Sequence, residues 1–242
     1  TDIYTPCCAR RINAYKLEIM DTANGHLEMT ISVVAPHLQQ PIADLVAKLI
    51  ARPFIKGDRV SANFYENGYA ASALLLLAAM VESMIQRDRY FLLGAHPATK
   101  VSNVTSEYLK TTLHYRRHAH VRELFDVRNA LAHNHMWEVE HTLLPEKGRV
   151  HKCSQIVAGT HMLKDLPKVT ARIPRTKAIR FNLLPSRIDR TDLVKALAVC
   201  NHALAYLSKK GQRPVRFLES QVKVGKQRIA FSQLERFVQN EL

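Results

Sequence analysis

The feature that most constrains this chain is the stretch of residues 67–93, in which the apolar side chains between positions 69 and 81 surround the helix axis instead of forming one stripe. A helix that is hydrophobic on every side is stable only when other elements enclose it, so the stretch predicts a long, central, buried helix. Gly94 and Pro97 are placed to end it. The apolar run itself is well short of the roughly 20 residues that cross a bilayer, and the first residues lack a basic-then-apolar signal pattern. The expectation is a soluble, cytoplasmic protein with no membrane partner.

The remaining elements are arranged around that helix. A short helix opened by proline is expected over 41–51, after an ill-defined leader in which 26–34 alternates like a strand. A second helical stretch begins near Ser106, breaks near Arg116, Arg117 and His118, and resumes through His133. Leu193, Leu197, Cys200, Leu204 and Leu207 recur at alternating steps of four and three, which predicts an amphipathic helix over 191–210. Asp189 or Thr191 can cap its start, two lysines complement its dipole, and Gly211 permits the exit. Cys200, on that apolar stripe, is expected to be buried. Between these helices, prolines 167, 174 and 185 and β-prone runs at 155–157 and 178–183 predict a strand-containing insertion. The fold class is therefore mainly α with a small β-containing insertion, α+β overall. The chain divides into an amino-terminal extension (1–60), a helical domain (61–211) with the insertion at about 146–185, and a carboxy-terminal extension (212–242) expected to hold a short strand and a short helix.

Lys and Arg outnumber Asp and Glu by 35 to 21, a formal net charge of +14 that favours a polyanionic partner, with nucleic acid first among the candidates. Cys7, Cys8, Cys153 and Cys200 show neither the paired short spacings of a zinc site nor a disulfide framework, which fits a reducing compartment. His114 and His118 have the four-residue spacing of a helix-borne metal pair, but no adjacent Glu completes a zinc-protease motif and no carboxylate or cysteine joins them at ligand spacing. No metal and no cofactor are expected. A basic RNA-facing surface that includes Arg116, Arg117, His118 and Arg122 accounts for this segment more economically.

The segment 123–137, ELFDVRNALAHNHMW, has helical apolar spacing interrupted by Arg128, Asn129 and His133. Asn129 and His133 lie one turn apart on one face, and Arg128 is a neighbour with a long side chain. His135, seven residues from Arg128, lies almost two turns away and offers a second imidazole. An imidazole moves a proton near neutral pH, and a guanidinium holds phosphate oxygens while negative charge builds on them. RNA supplies its own nucleophile in the 2′-hydroxyl, so an acid–base group and a cation suffice for cleavage without a metal. The products would be a 2′,3′-cyclic phosphate and a 5′-hydroxyl.

These residues resemble the HEPN superfamily, whose signature is an arginine, four to six residues, then a histidine, commonly with a polar residue after the arginine. Here it reads Arg128-Asn129-Ala-Leu-Ala-His133. The bare pattern also arises at Arg89 and His96, but that match straddles Gly94 and lacks a continuous helix. The resemblance covers about residues 66–210, from the apolar helix containing Glu82 to the amphipathic helix downstream. It implies a helical bundle that dimerises to form a composite cleft, and a metal-independent endoribonuclease of a defence or toxin system, with an antitoxin or regulatory partner as a further expectation. It also implies that Glu82 supports the Arg or the His. In family toxins paired with nucleotidyltransferase antitoxins a tyrosine often follows the His by two residues; this chain has His135 there, which argues against that mode of control. The alternative is a non-catalytic HEPN-like module for nucleic-acid binding or dimerisation.

Overall fold

In chain order the helices are α1 (Gln39–Ile50), α2 (Glu66–Leu93), α3 (Thr105–Thr111), α4 (His118–Ala132), α5 (Arg190–Lys210) and α6 (Leu234–Gln239), with three antiparallel strand pairs between and after them. The computed structural model describes residues 33–54, 63–93, 104–132, 137–142, 149–155 and 174–242, together with the backbone pairing of 17–18 and 28–29. Mainly helical architecture with small β hairpins is what the hydrophobic patterning predicts.

α2 occupies the centre because its burial is not confined to one face. Ala70, Ala73, Leu74, Leu77, Ala78, Met80, Val81 and Ile85 are all fully enclosed. Its alanines let neighbouring helices approach closely while its leucines fill the space between them. α1 covers one side with Ile42, Val46 and Leu49, α4 another with Val121, Leu124 and Val127, and α5 a third with the predicted stripe of Leu193, Leu197, Cys200, Leu204 and Leu207. By length and hydropathy alone α2 could cross a bilayer, but half of its most apolar window is buried among these helices.

α2 and α5 run parallel, and each end of the pair is locked by a buried carboxylate. At the start, Glu66 of α2 accepts from the backbone N–H (2.9 Å), Nε (3.0 Å) and Nη2 (2.7 Å) of Arg190, the first residue of α5. The same guanidinium donates to the carbonyls of Leu49, Arg52 and Glu241, so one side chain ties the end of α1 and the carboxy-terminal segment to both helices. Asp189 caps α5 by accepting from the N–H groups of Thr191 and Asp192. At the far end, Asp88 accepts from the Tyr108 hydroxyl (2.9 Å) and the Gln212 N–H (2.5 Å), and burial raises the pKa of its carboxyl. Gly211 follows α5 in an extended conformation, φ −76°. Glycine is needed there for space: a Cβ would stand 2.4 Å from Asp88 Oδ1 and 2.6 Å from the Leu207 carbonyl.

Three details depart from the sequence expectations. The run 178–183 does not form a strand, and a single bridge between Arg175 and Asn182 is all that pairs there. Side-chain acceptors have taken its backbone donors: Ala178 and Ile179 N–H groups donate to the Glu123 carboxylate (2.6 and 2.8 Å), Phe181 N–H to Thr176 Oγ1, and Asn182 N–H to Asp192. Arg180 sits between them in the left-handed region, φ 65°, which interrupts strand geometry. The strand-containing segment also opens earlier than residue 146, because β3 (Trp137–Thr142) pairs with β4 (Arg149–Gln155), with a register shift between Glu140 and His141. In the leader, β1 (Leu17–Glu18) pairs with β2 (Glu28–Met29), but Val34 has already turned into αR geometry ahead of a 3₁₀ turn, Ala35–Leu38, that runs into α1. Gly94, Pro97 and residues 156–157 lie outside the described residues.

After α5 the chain returns over the bundle. A hairpin of β5 (Gln221–Val224) and β6 (Gln227–Ala230) lies against α1, and α6 lies against α5. Val222, Val224, Phe231, Leu234 and Val238 join the same hydrophobic core as α2. Gly225 makes the hairpin turn with φ 60°, a conformation that L side chains rarely adopt.

Candidate functional site

α4 carries the motif because Val121, Leu124 and Val127 seat one face of it on the core while its other faces stay open. Arg128 is on the flank of that buried face, 27% exposed, and reaches across to α2. Its Nη1 donates to Glu82 Oε2 at 3.0 Å, linking residues 46 apart in sequence. The guanidinium carbon lies 5.5 Å from the centre of the Phe125 ring, one turn back on α4. Nε is enclosed with no acceptor, and Nη2 has no partner among the described residues. Arg128 is therefore held at one corner by a carboxylate and at one face by a ring, with donor capacity to spare.

Asn129 is half-buried on the next position of α4, and its side chain makes no hydrogen bond to the described residues. α4 is described as far as Ala132; His133 and His135 lie outside the described residues. Glu82 has the partner that the family resemblance implied. Its rival partners on α2, Gln86 and Arg89, instead meet each other at 3.4 Å.

The basic residues expected to face RNA gather where the chain enters α4. Arg116, Arg117 and Arg122 are exposed, and His118 is half-buried with Nδ1 enclosed and unpartnered. No acidic residue stands in the first turn of α4 to offset them. His114 and His118 do not share a helix face: α4 begins only at His118, and His114 lies in the preceding turn with φ 54°. Among the described residues no three His, Cys, Asp or Glu side chains gather as metal ligands.

Sequence reasoning missed the residues that anchor this turn. The Tyr115 hydroxyl shares a hydrogen bond of 2.9 Å with His202 Nδ1 on α5, the Tyr115 and Tyr206 rings lie 4.7 Å apart, and the Tyr206 hydroxyl donates to the Leu113 carbonyl at 2.6 Å. Partial burial, with the charges of Arg117 and His120 nearby, holds the His202 imidazole below its usual pKa of 6.5. Burial pushes the Tyr115 phenol up to about 12, so it stays protonated. No periodicity links positions 115 and 202; the only sequence signal was that His202 falls off the apolar stripe of α5. Cys200, on the stripe, is fully buried and its thiol is pushed up to about 12, the inert state expected of it. Compared with protein-family models, with curated proteins and with solved structures, the chain matches none.

Proposed function

We propose that this protein is a metal-independent endoribonuclease of the HEPN type, with Arg128 and His133 as its chemical core. The observation that carries the reading is the Glu82–Arg128 ion pair between the central helix and the motif helix. It holds a guanidinium beside Asn129, on the helix whose last described residue directly precedes His133 in sequence. In the proposed reaction His133 takes the proton of a 2′-hydroxyl as its oxygen attacks the adjacent phosphorus. The bond from phosphorus to the 5′-oxygen breaks, and the leaving oxygen is protonated. Arg128 stabilises the negative charge on the phosphoryl oxygens, while Asn129 and His135 assist in holding the phosphate. Glu82 is a positioning residue: it fixes the rotamer of Arg128 before substrate arrives. Arg116, Arg117, His118 and Arg122 contribute attraction for the backbone that is independent of sequence. The resemblance adds a dimer with a composite cleft, an antitoxin or regulatory partner, and a cytoplasmic setting.

The test is cleavage of a mixed labelled RNA panel in EDTA by wild type, Arg128→Ala and His133→Ala, with the product ends analysed. We expect cyclic-phosphate ends from wild type and a rate loss of about a hundredfold or more in each variant. One observation favours a second reading: Arg128 is already paired with Glu82, so its charge is partly compensated before any phosphate arrives. Under that reading the protein is a basic binding module. Folded wild type that binds RNA without cutting it, or variants that cut as well as wild type, would decide for it.

A further inference from the structure

We infer that the junction of α1 and α2 is a stacking platform for an unpaired RNA strand; the choice of RNA rests on the reading above, whereas the platform requires no chemistry at Arg128. Phe64 is 77% exposed and Tyr65 43% exposed, at the entry to α2. Two large aromatic rings left in water on adjacent residues forgo the burial that the core gives to every ring of the stripe helices. They are organised: the Phe64 and Tyr65 rings meet edge to face at 5.5 Å, and Tyr65 and Tyr69 lie 6.2 Å apart, one turn along α2.

Cations are interleaved with the rings. The Arg52 guanidinium lies 4.4 Å from the Tyr65 ring centre and Lys48 Nζ 5.9 Å from that of Tyr69, so a four-residue step at the end of α1 matches a four-residue step at the start of α2. Among the described residues neither Lys48 nor Arg52 forms an ion pair with a carboxylate, although Asp44 stands one turn behind Lys48, held by Gln40. Glu66, the acid that follows Tyr65, is turned inward onto Arg190 and presents no charge to a ligand. Rings that accept base faces, with positive groups at the spacing of a strand's phosphates, suit an unpaired nucleic acid. A duplex keeps its base faces stacked internally and offers this surface only its backbone.

The experiment measures dissociation constants of a labelled unstructured 12-nucleotide RNA, the same strand as DNA, and a blunt RNA duplex, using the full chain. Variants are Phe64→Ala, Tyr65→Ala, Phe64→Trp and Arg52→Gln, with Arg128→Ala as the control for the cleavage centre. Removing either aromatic is expected to weaken single-strand RNA binding about tenfold while duplex binding holds, and Phe64→Trp to restore it. Arg52→Gln should weaken it and flatten its salt dependence, and Arg128→Ala should still bind the strand. Unchanged single-strand affinity in both aromatic variants overturns the platform even if wild type cleaves RNA. Wild type that binds through these rings but never cuts retires the cleavage reading and leaves the platform standing. If Phe64→Ala instead converts a dimer to a monomer in sedimentation with RNA affinity intact, the face is a contact between copies. Tighter binding of the DNA strand would move the partner from RNA to DNA.

Discussion

A guanidinium tied at one corner is a better phosphate ligand than a free one, because the entropy of fixing its long side chain is spent during folding and not at the moment of binding. Glu82 and Phe125 do this for Arg128. The same logic of what a single atom meets separates two glycines. A Cβ at Gly211 would collide with the Leu207 carbonyl, which belongs to a rigid helix, as well as with Asp88, whereas a Cβ at Gly68 would meet nothing within 4 Å. Gly211→Ala should therefore cost about 1–3 kcal/mol as the end of α5 is forced away from α2. Gly68→Ala, in the first turns of α2, should gain about 0.5–1 kcal/mol by reducing the freedom of the unfolded chain. Thermal unfolding of the two variants beside wild type checks both signs at once, and a Gly211→Ala protein as stable as wild type would remove the spatial argument.

Elements whose stability comes from their own apolar pattern were legible in the sequence. α2 and α5 follow from the distribution of leucine around an axis, and the Arg128–Glu82 link follows from the motif together with the acid at the end of the apolar run. Elements decided by a distant polar side chain were not. Residues 178–183 alternate like a strand, yet Glu123, 55 residues away, offers charged acceptors that outcompete a ladder for the Ala178 and Ile179 donors. His202 and Tyr115 likewise meet only because α4 and α5 pack. A direct consequence is that Glu123→Ala should release this loop from α4, at a cost of about 1–3 kcal/mol, while Glu123→Gln keeps one acceptor and costs less. Hydrogen exchange at the Ala178 and Ile179 amides should accelerate in the alanine variant, with the interior of α4 still protected. Unaltered exchange at those two amides would mean that the carboxylate is not what holds the loop.

On the scale of the whole molecule, Arg190 is the point at which segments far apart in sequence become one body. Its side chain is 1% exposed, paired with a Glu66 side chain 3% exposed, and bonded to carbonyls of Leu49, Arg52 and Glu241, with the Phe54 ring 5.0 Å from its guanidinium carbon. Such a pair owes less to Coulomb attraction than its distance suggests, because both ions have given up water; breaking it is costly because it strands the survivor. Arg190→Met should thus lose about 3–5 kcal/mol, chiefly from an unpaired buried carboxylate at Glu66. Changing Glu66 to leucine as well removes that charge, so the double variant should be more stable than Arg190→Met. It should still fall short of wild type, since three carbonyls keep no donor. Denaturant melts of the two single variants and the double provide the cycle. Losses that simply add would show that the two residues act independently, and the junction of α1, α2, α5 and the carboxy-terminal segment would then have to be held by its apolar contacts alone.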